Sequence, residues 1–206
     1  MQKYPDPTAL GLFGLAMVTL VSSSQKFGLT EGFSYVIPWA VFLGALAQLV
    51  AGIMDFKRLN VFGGTASCAY GFFWLATATS WMISMGVFGL ILREAVDPHQ
   101  MGLAIVGYLI ITLFFTIGAA NTNKVLFGIF IAIDLLFVGL TVATFGPEGP
   151  LRAGFYKMAA WSELAIALLS FYGGGANILN THLGRDVLPI GKGFGPFAKE
   201  NDPASQ

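Results

Sequence analysis

The stretch that decides the fold is Leu59–Leu92, LNVFGGTASCAYGFFWLATATSWMISMGVFGLIL, which contains 34 residues and no charge. A helix needs only about 20 apolar residues to cross the hydrocarbon core of a bilayer. This run is longer, and Gly63 and Gly64 lie near its start. We therefore predict a spanning helix preceded by a short broken or re-entrant piece. Such irregular backbone persists at membrane depth only where protein or a water-filled cavity satisfies its polar groups, so the stretch indicates a polar pathway.

The composition of the whole chain agrees with a membrane location. Of its 206 residues, 55% are apolar and only 11% are charged, whereas soluble domains carry about 25% charged residues. The 26 glycines are typical of helices that pack closely in lipid, where small residues let backbones approach. Eleven basic and eleven acidic residues cancel, so we expect no nucleic acid partner.

Uncharged segments recur along the chain and predict an all-α integral membrane protein with six transmembrane helices. We assign residues 1–182 to a six-span transport domain and residues 183–206 to a cytoplasmic C-terminal tail. Asn177 and Asn180, which follow three consecutive glycines, are expected to end the sixth helix. The six segments, the last two interrupted by one acidic residue each, are Pro7–Gln25, Gly32–Met54, Leu59–Leu92, Gln100–Asn123, Val125–Pro147 and Met158–Thr181.

The distribution of basic residues predicts the orientation. With six spans both chain ends lie on one side, and seven of the eleven basic residues lie there. They are Lys3, Lys57, Arg58, Lys124, Arg185, Lys192 and Lys199. The other side has Lys26, Arg93, Arg152 and Lys157. Since cytoplasmic loops carry an excess of Lys and Arg, we predict a protein of the cytoplasmic membrane with both termini in the cytoplasm.

The chain lacks the residues that most enzyme classes require. Its two histidines, His99 and His182, lie at segment edges, whereas a membrane cytochrome needs histidines within its spans to hold haem iron. The sequence contains no Gly-x-Ser-x-Gly motif, no P-loop and no cluster of metal ligands. The single cysteine, Cys68, cannot form an internal disulfide. We therefore expect neither an enzyme nor a cofactor.

Few polar side chains lie inside the predicted spans. Gln48, Thr65 and Tyr70 can bind a solute, and hydrogen bonding between helices is the alternative for such residues. Asp134 lies near the middle of the fifth segment, where charged residues usually face a cavity, although a pairing between helices is the alternative. Glu163 lies near the end of the sixth segment, and we expect it to be solvated.

The residues around the glycine pair suit an anion. Backbone amides at the start of a helix carry partial positive charge and bind carboxylates without a basic side chain. Gly63 and Gly64 allow close backbone approach, and Thr65 and Ser67 add hydroxyl donors. Neutral donors also let an anion leave again. The stretch thus favours a small polar or anionic solute.

Several blocks resemble the acetate uptake transporter family, in the family's order and over nearly the whole chain. The first resembles the family's opening Asn-Pro-Ala-Pro-Leu-Gly-Leu motif. The others resemble its second-span, third-span and C-terminal blocks. They are Asp6–Leu12 (DPTALGL), Ala47–Gly52 (AQLVAG), Asn60–Ala66 (NVFGGTA), Tyr70–Leu75 (YGFFWL) and Gly184–Gly191 (GRDVLPIG).

The resemblance implies a six-span protomer that assembles as a ring of six, with a pathway for acetate, and in some members succinate, in each protomer. It also implies an apolar constriction at Leu15, Tyr70 and Ile133. Two departures from the family pattern matter. Asp6 replaces the family's asparagine and Ala9 its second proline, so we expect the entry to respond differently to pH. Leu15 replaces a phenylalanine, so we expect a wider constriction that is less selective against larger carboxylates.

The sequence thus predicts membrane transport of acetate or related short carboxylates, either channel-like or coupled to protons. Asp134, beside Ile133, is the candidate for proton coupling. A neutral amide or urea channel and an interaction protein without transport remain the alternatives. The residues predicted to contact the solute are Asp6, Gln48, Asn60, Gly63, Gly64, Thr65 and Tyr70.

Overall fold

Six long helices form the frame of the protein, whose structure, a computed structural model, describes residues 4–196. The second of them has three parts: α2, a π-helix and α3. A short helix, α5, follows the third. Within the described part the helices are α1 (Thr8–Lys26), α2 (Val36–Trp39), the π-helix (Ala40–Ala47), α3 (Gln48–Lys57), α4 (Val61–Ser84), α5 (Leu90–Glu94), α6 (Pro98–Ala120), α7 (Lys124–Phe145) and α8 (Pro150–Leu183).

The predicted break before the third span is wrong. Helix α4 runs without interruption from Val61 to Ser84, and Gly63 and Gly64 lie inside its first turn. The helix begins where it does because the side chain of Asn60 accepts a hydrogen bond from the Gly63 amide at 3.0 Å, as an N-cap residue does. The extra length of the uncharged run follows the helix, as a turn and α5.

The irregular backbone lies instead in the second long helix. Residues Ala40–Ala47 form a π-helix between α2 and α3, and π-helical turns are frequent at functional sites. The side-chain amide of Gln48 (Nε2) donates a hydrogen bond to the backbone carbonyl of Gly44 at 2.8 Å. It thus satisfies a backbone acceptor within the π-helix. Periodicity could not predict this feature, because the segment is apolar on every face.

The long helices form a closed ring in chain order. Each contacts the next, and α8 returns to contact α1. Small residues allow the close approaches. A Cβ atom at Gly52 would lie 2.5 Å from Cys68 Sγ and 2.9 Å from the Gly64 carbonyl oxygen, so only glycine fits between α3 and α4. One at Gly139 would lie 2.7 Å from the Phe155 carbonyl oxygen.

Apolar side chains cover much of the outer surface. Leu103, Phe114 and Trp161, for example, are about two-thirds exposed. Four helices of the described part are long and apolar enough to cross a membrane: Thr8–Lys26, Val36–Lys57, Pro98–Ala120 and Lys124–Phe145. These features support a multi-pass membrane protein.

The last helix is longer than predicted at both ends. Helix α8 begins at Pro150 and continues through the three glycines to Leu183, so Asn177 and Asn180 do not end it. At 1.5 Å per residue its 34 residues extend for about 51 Å, which exceeds the hydrocarbon core of about 30 Å. The segment after α8 folds back: Asn180 accepts from the amides of Val187 and Leu188.

The same segment reaches the link between α6 and α7. The amide of Val125 donates to the Ile190 carbonyl, and the amide of Phe194 donates to the Ala120 carbonyl. The first part of the predicted tail is therefore ordered against the helices. Its last ten residues, 197–206, lie outside the described residues.

Candidate functional site

A cavity of about 340 Å³ lies at the end of the ring where α1, α4 and α7 begin. We call it the Gln48 cavity. Its volume falls in the range of small-molecule sites. Residues from five helices, two links, the segment before α1 and the C-terminal segment line it: Asp6, Thr8, Gly11, Leu12, Leu15, Gln48, Asp55, Asn60, Phe62, Gly63, Ala66, Ser67, Tyr70, Thr122, Asn123, Leu126, Ile129, Phe130, Ile133, Asn177 and Ile190.

Neutral hydrogen-bonding groups line the Gln48 cavity. The Gln48 side chain is 3% exposed, and it supplies both an amide donor and a carbonyl acceptor. Ser67 on α4 and Asn177 on α8 contribute a hydroxyl and a second amide. A cavity with this lining can hydrogen-bond a small polar solute on several sides.

Three helix starts converge on the cavity. The side chains of Asn60 and Asn123 cap α4 and α7 by accepting from the amides of Gly63 and Leu126, at 3.0 and 2.8 Å. Asp6 accepts from the Thr8 amide at 2.9 Å at the start of α1. Helix N-termini carry positive partial charge, which favours an anion nearby.

An ion-pair cluster lies at the mouth of the cavity. Nη1 of Arg58 lies 3.0 Å from Asp6 Oδ1 and 3.6 Å from Asp55 Oδ1. Burial raises the pKa of Asp6, but hydrogen bonds from Thr8 and Arg58, together with the charge of Arg58, outweigh burial and hold it below its ordinary value. Asp6 is therefore a carboxylate at neutral pH, where an asparagine would carry no charge.

The three residues of the predicted constriction line the deep part of the same cavity. Leu15, Tyr70 and Ile133 are 7%, 5% and 3% exposed. The hydroxyl of Tyr70 forms a hydrogen bond with Thr112 Oγ1 at 2.8 Å, and its ring packs among those of neighbouring aromatic residues. Hydrogen bonding and packing fix the ring in one position.

Three of the predicted site residues do not line the cavity. Thr65 is exposed on the opposite face of α4. Gly64 packs under the ring of Phe56, whose atoms would lie 2.7 Å from a Cβ there. Asp134, next to Ile133 on α7, is buried and accepts a 2.6 Å hydrogen bond from Thr116 on α6. The cavity brings the others together: Asp6, Leu15, Gln48, Asn60, Gly63, Tyr70 and Ile133.

Three polar residues that line the cavity, Asp55, Asn123 and Asn177, are not among the predicted site residues. Asp55 directly follows the predicted second segment, Gly32–Met54, and is therefore expected outside the span. Asn123 precedes Lys124, and an asparagine before a helical run is a signal for a helix start. This signal predicts a capped helix N-terminus at Asn123. Asn177 is expected from the sequence to end a helix, whereas Ser67, a predicted hydroxyl donor, does line the cavity. Asp55, Asn123 and Asn177 come close only because the ring closes.

A second cavity, of about 230 Å³, lies beyond Tyr70 and Ile133 toward the other end of the ring. We call it the Lys26 cavity. Lys26 Nζ and Glu163 Oε2 form an ion pair of 2.8 Å in its wall, and their side chains are 11% and 2% exposed. The prediction that Glu163 is solvated is wrong, because α8 begins eight residues before the predicted sixth segment and carries Glu163 into the bundle.

Comparisons with known proteins agree with this architecture. The succinate-acetate/proton symporter SatP of Escherichia coli (strain K12) is 29% identical over 190 residues, which cover 92% of this chain and 97% of that relative. Acetate permease A of Emericella nidulans is 27% identical over 92% of this chain and 66% of its own length. A solved structure of the bacterial acetate channel SatP superimposes with a TM-score of 0.83, covering 92% of this chain and all of that chain at 29% identity.

The family profile described as GPR1/FUN34/yaaH matches residues 1–187. This match and these relatives confirm the resemblance that the sequence blocks indicated. The chain belongs to the GPR1/FUN34/yaaH family.

Proposed function

We propose that this protein transports acetate and related short carboxylates across a membrane. The observation that carries the proposal is the Gln48 cavity, which neutral donors, three helix starts and Tyr70 surround. Helix starts attract an anion without holding it as a full positive charge would. The names of the relatives, an acetate permease and a succinate-acetate/proton symporter, support the same class of solute.

The pathway that we propose passes through the ring of each protomer. It runs from the Gln48 cavity past Leu15, Tyr70 and Ile133 to the Lys26 cavity. On α4 and α7, Phe73 and Leu136 line the Lys26 cavity three residues beyond Tyr70 and Ile133, and residues at this spacing share a helix face. The two cavities thus follow one inner surface.

The remaining features of the proposal come from the sequence. The six long helices are six spans of the cytoplasmic membrane, with both termini in the cytoplasm, as the basic residues predict. Six protomers form a ring, as the resemblance implies. The protein is a transporter and not an enzyme.

The test is uptake of labelled acetate and labelled urea into proteoliposomes that contain the purified protein, with empty liposomes measuring leak. We expect protein-dependent acetate uptake that unlabelled acetate inhibits, and no protein-dependent urea uptake. Uptake of urea that ignores pH would support the amide-channel alternative instead. Absence of both would support an interaction protein without transport.

Replacing Gln48 with alanine is expected to weaken acetate binding. The substitution removes a neutral donor from a buried cavity, and a hydrogen bond to a charged partner is worth about 1.5–3 kcal/mol. The acetate concentration at half-maximal uptake should rise roughly tenfold to more than a hundredfold. Gln100→Ala, which removes an exposed amide, is the matched control. An unchanged concentration in correctly inserted protein would assign Gln48 to helix packing.

Asp134 remains the candidate for proton dependence, although it reaches the pathway only through its neighbour Ile133. Its Oδ2 accepts from Thr116, and its Oδ1 has no hydrogen-bond partner among the described residues. An ionised Asp134 repels a passing carboxylate and a protonated one does not, so protein-dependent uptake should rise as pH falls.

Asp134→Asn stays neutral at every pH. It should flatten the protein-dependent part of the pH profile between about pH 5 and 8 and preserve the flux at low pH. Leak of protonated acetate through lipid is subtracted with empty liposomes at each pH. A variant that keeps the wild-type profile would make Asp134 a structural residue of the α6–α7 contact.

A further inference from the structure

The ion pair of the Lys26 cavity has no role in the function proposed so far. Lys26 ends α1 and Glu163 lies on α8, so the pair joins two helices that are adjacent in the ring. Burying two charges costs about as much as their attraction returns, and apolar replacements of buried pairs are often neutral or stabilising. Stability alone therefore does not explain the pair.

The surroundings of the pair are mostly apolar. Phe33 and Trp81 stack with ring centroids 4.6 Å apart, and they line the cavity with Phe73, Trp74 and Met101. An ionised carboxylate that enters such a space loses its hydration and needs a compensating partner. Among the residues that line this cavity, Lys26 is the cation, and Glu163 and Tyr156 are the other titratable groups.

Lys26 has the capacity to bind a ligand. Among residues 4–196 its ammonium donates to Glu163 Oε2 at 2.8 Å and to Ser22 Oγ at 3.2 Å. An ammonium has three N–H donors, so the third N–H of Lys26 is available to a ligand in the cavity. A third cavity, of about 480 Å³, shares Ile105, Leu140 and Tyr156 with this one and is also lined by Arg152, so the two cavities adjoin.

We propose that Lys26 binds the carboxylate of the transported anion in the Lys26 cavity, with Glu163 as its exchangeable counter-ion. This inference rests on the proposed function and adds a second binding site beyond the constriction. Glu163 keeps Lys26 from holding the anion too tightly, because conduction requires binding that is weak enough for release. The Gln48 cavity uses neutral donors for the same purpose.

Two variants with opposite expected effects separate this role from a structural one. Lys26→Gln should raise the acetate concentration at half-maximal uptake about tenfold to a hundredfold, because a charge-assisted hydrogen bond is lost. Glu163→Gln removes the competing carboxylate, so it should lower that concentration and also lower the maximal rate. A pair that only supports the fold would change the amount of folded protein in both variants and neither concentration.

Lys26→Gln leaves Glu163 as a buried charge without its partner, which can prevent folding. The double variant Lys26→Gln/Glu163→Gln removes both charges together and preserves neutrality. It should also raise the half-maximal concentration about tenfold or more. Lys157→Gln, which removes an exposed charge on α8 that lines neither cavity, is the matched control.

The assay is labelled acetate uptake into proteoliposomes, with monodisperse elution in detergent as the check of folding. If the wild-type protein does not transport acetate, the proposed function fails and this inference falls with it. If the wild-type protein transports acetate and the folded double variant keeps the wild-type half-maximal concentration, only the inference is overturned. A selective rise in that concentration, with the control unchanged, supports it.

Discussion

Replacing Tyr70 with alanine is expected to let larger carboxylates pass. The ring lines the Gln48 cavity and is held by Thr112 and by aromatic neighbours, and in the proposed pathway it separates the two cavities. Alanine removes it and leaves Leu15 and Ile133 as the remaining barrier. We expect the ratio of succinate to acetate flux to rise about tenfold or more, which corresponds to a steric barrier lower by about 1.4 kcal/mol for the larger anion.

The measurement is uptake of labelled acetate and labelled succinate into proteoliposomes at matched protein content. A large-to-small substitution in a core costs about 3–5 kcal/mol, so each variant must first elute as folded protein. Tyr70→Phe is the matched control: it loses a hydrogen bond worth about 0.5–1.5 kcal/mol but keeps the ring and therefore the size limit. Leu15→Phe should narrow the passage. An unchanged ratio in folded Tyr70→Ala would locate the constriction elsewhere.

The sequence predicted where the long helices lie because a bilayer demands uncharged segments of a certain length. Each of the six predicted segments corresponds to one long helix. The ends were less predictable. Helix α8 contains Arg152 and Lys157 before its uncharged run, because a helix continues past the apolar core wherever its backbone hydrogen bonds can form. Charges mark the membrane surface and not the helix end.

The glycine pair shows how one residue type supports two interpretations. Gly63 and Gly64 are compatible with a broken helix, but Gly64 instead gives room to Phe56 at the α3–α4 contact. The choice between conformational freedom and close approach depends on the neighbouring helix, which a sequence alone does not place. The π-helix left no signal because its apolar residues suit either helix type.

Site residues that belong to a local sequence motif could be predicted, whereas site residues brought together from distant parts of the chain could not. Gln48 and Tyr70 lie within recognisable blocks, and both line the cavity. Lys26 and Glu163 are 137 residues apart in the chain, and no local pattern pairs them. The alternation of helix directions brings the end of α1 beside the first half of α8, so this pair follows from ring closure.

Removing the positive charge at the mouth of the Gln48 cavity is expected to have the second large effect on transport. Asp6 and Asp55 line the cavity, and one guanidinium, Arg58, lies within 3.6 Å of both. Arg58→Gln leaves two carboxylates without a cation, so the mouth repels an incoming anion. Electrostatic potentials of this kind change association rates by about 10- to 1,000-fold. We expect acetate exchange at low concentration to fall about tenfold or more.

Salt and a second substitution identify the cause of that loss. Salt screens exposed charges, so the deficit of Arg58→Gln should shrink between 0.01 and 1 M ionic strength, values at which the Debye length is about 30 Å and 3 Å. Asp6→Asn in the same chain removes one of the two carboxylates and should restore most of the exchange. Lys57→Gln, which removes the neighbouring exposed charge, should have little effect.

The pH dependence of the ion pair at the mouth follows from the protonation state of Asp6. Because its pKa lies below the ordinary value, its ion pair with Arg58 is present above that ordinary value and is lost only as the pH falls through the lowered one. In the wild-type protein, where Arg58 is present, Asp6 therefore stays charged between about pH 5 and 8, and Asp6→Asn alone should change acetate exchange to the same extent throughout that range. A loss that persists in the double variant at every salt concentration would show that Arg58 supports the structure of the α3–α4 link and does not set the charge of the mouth.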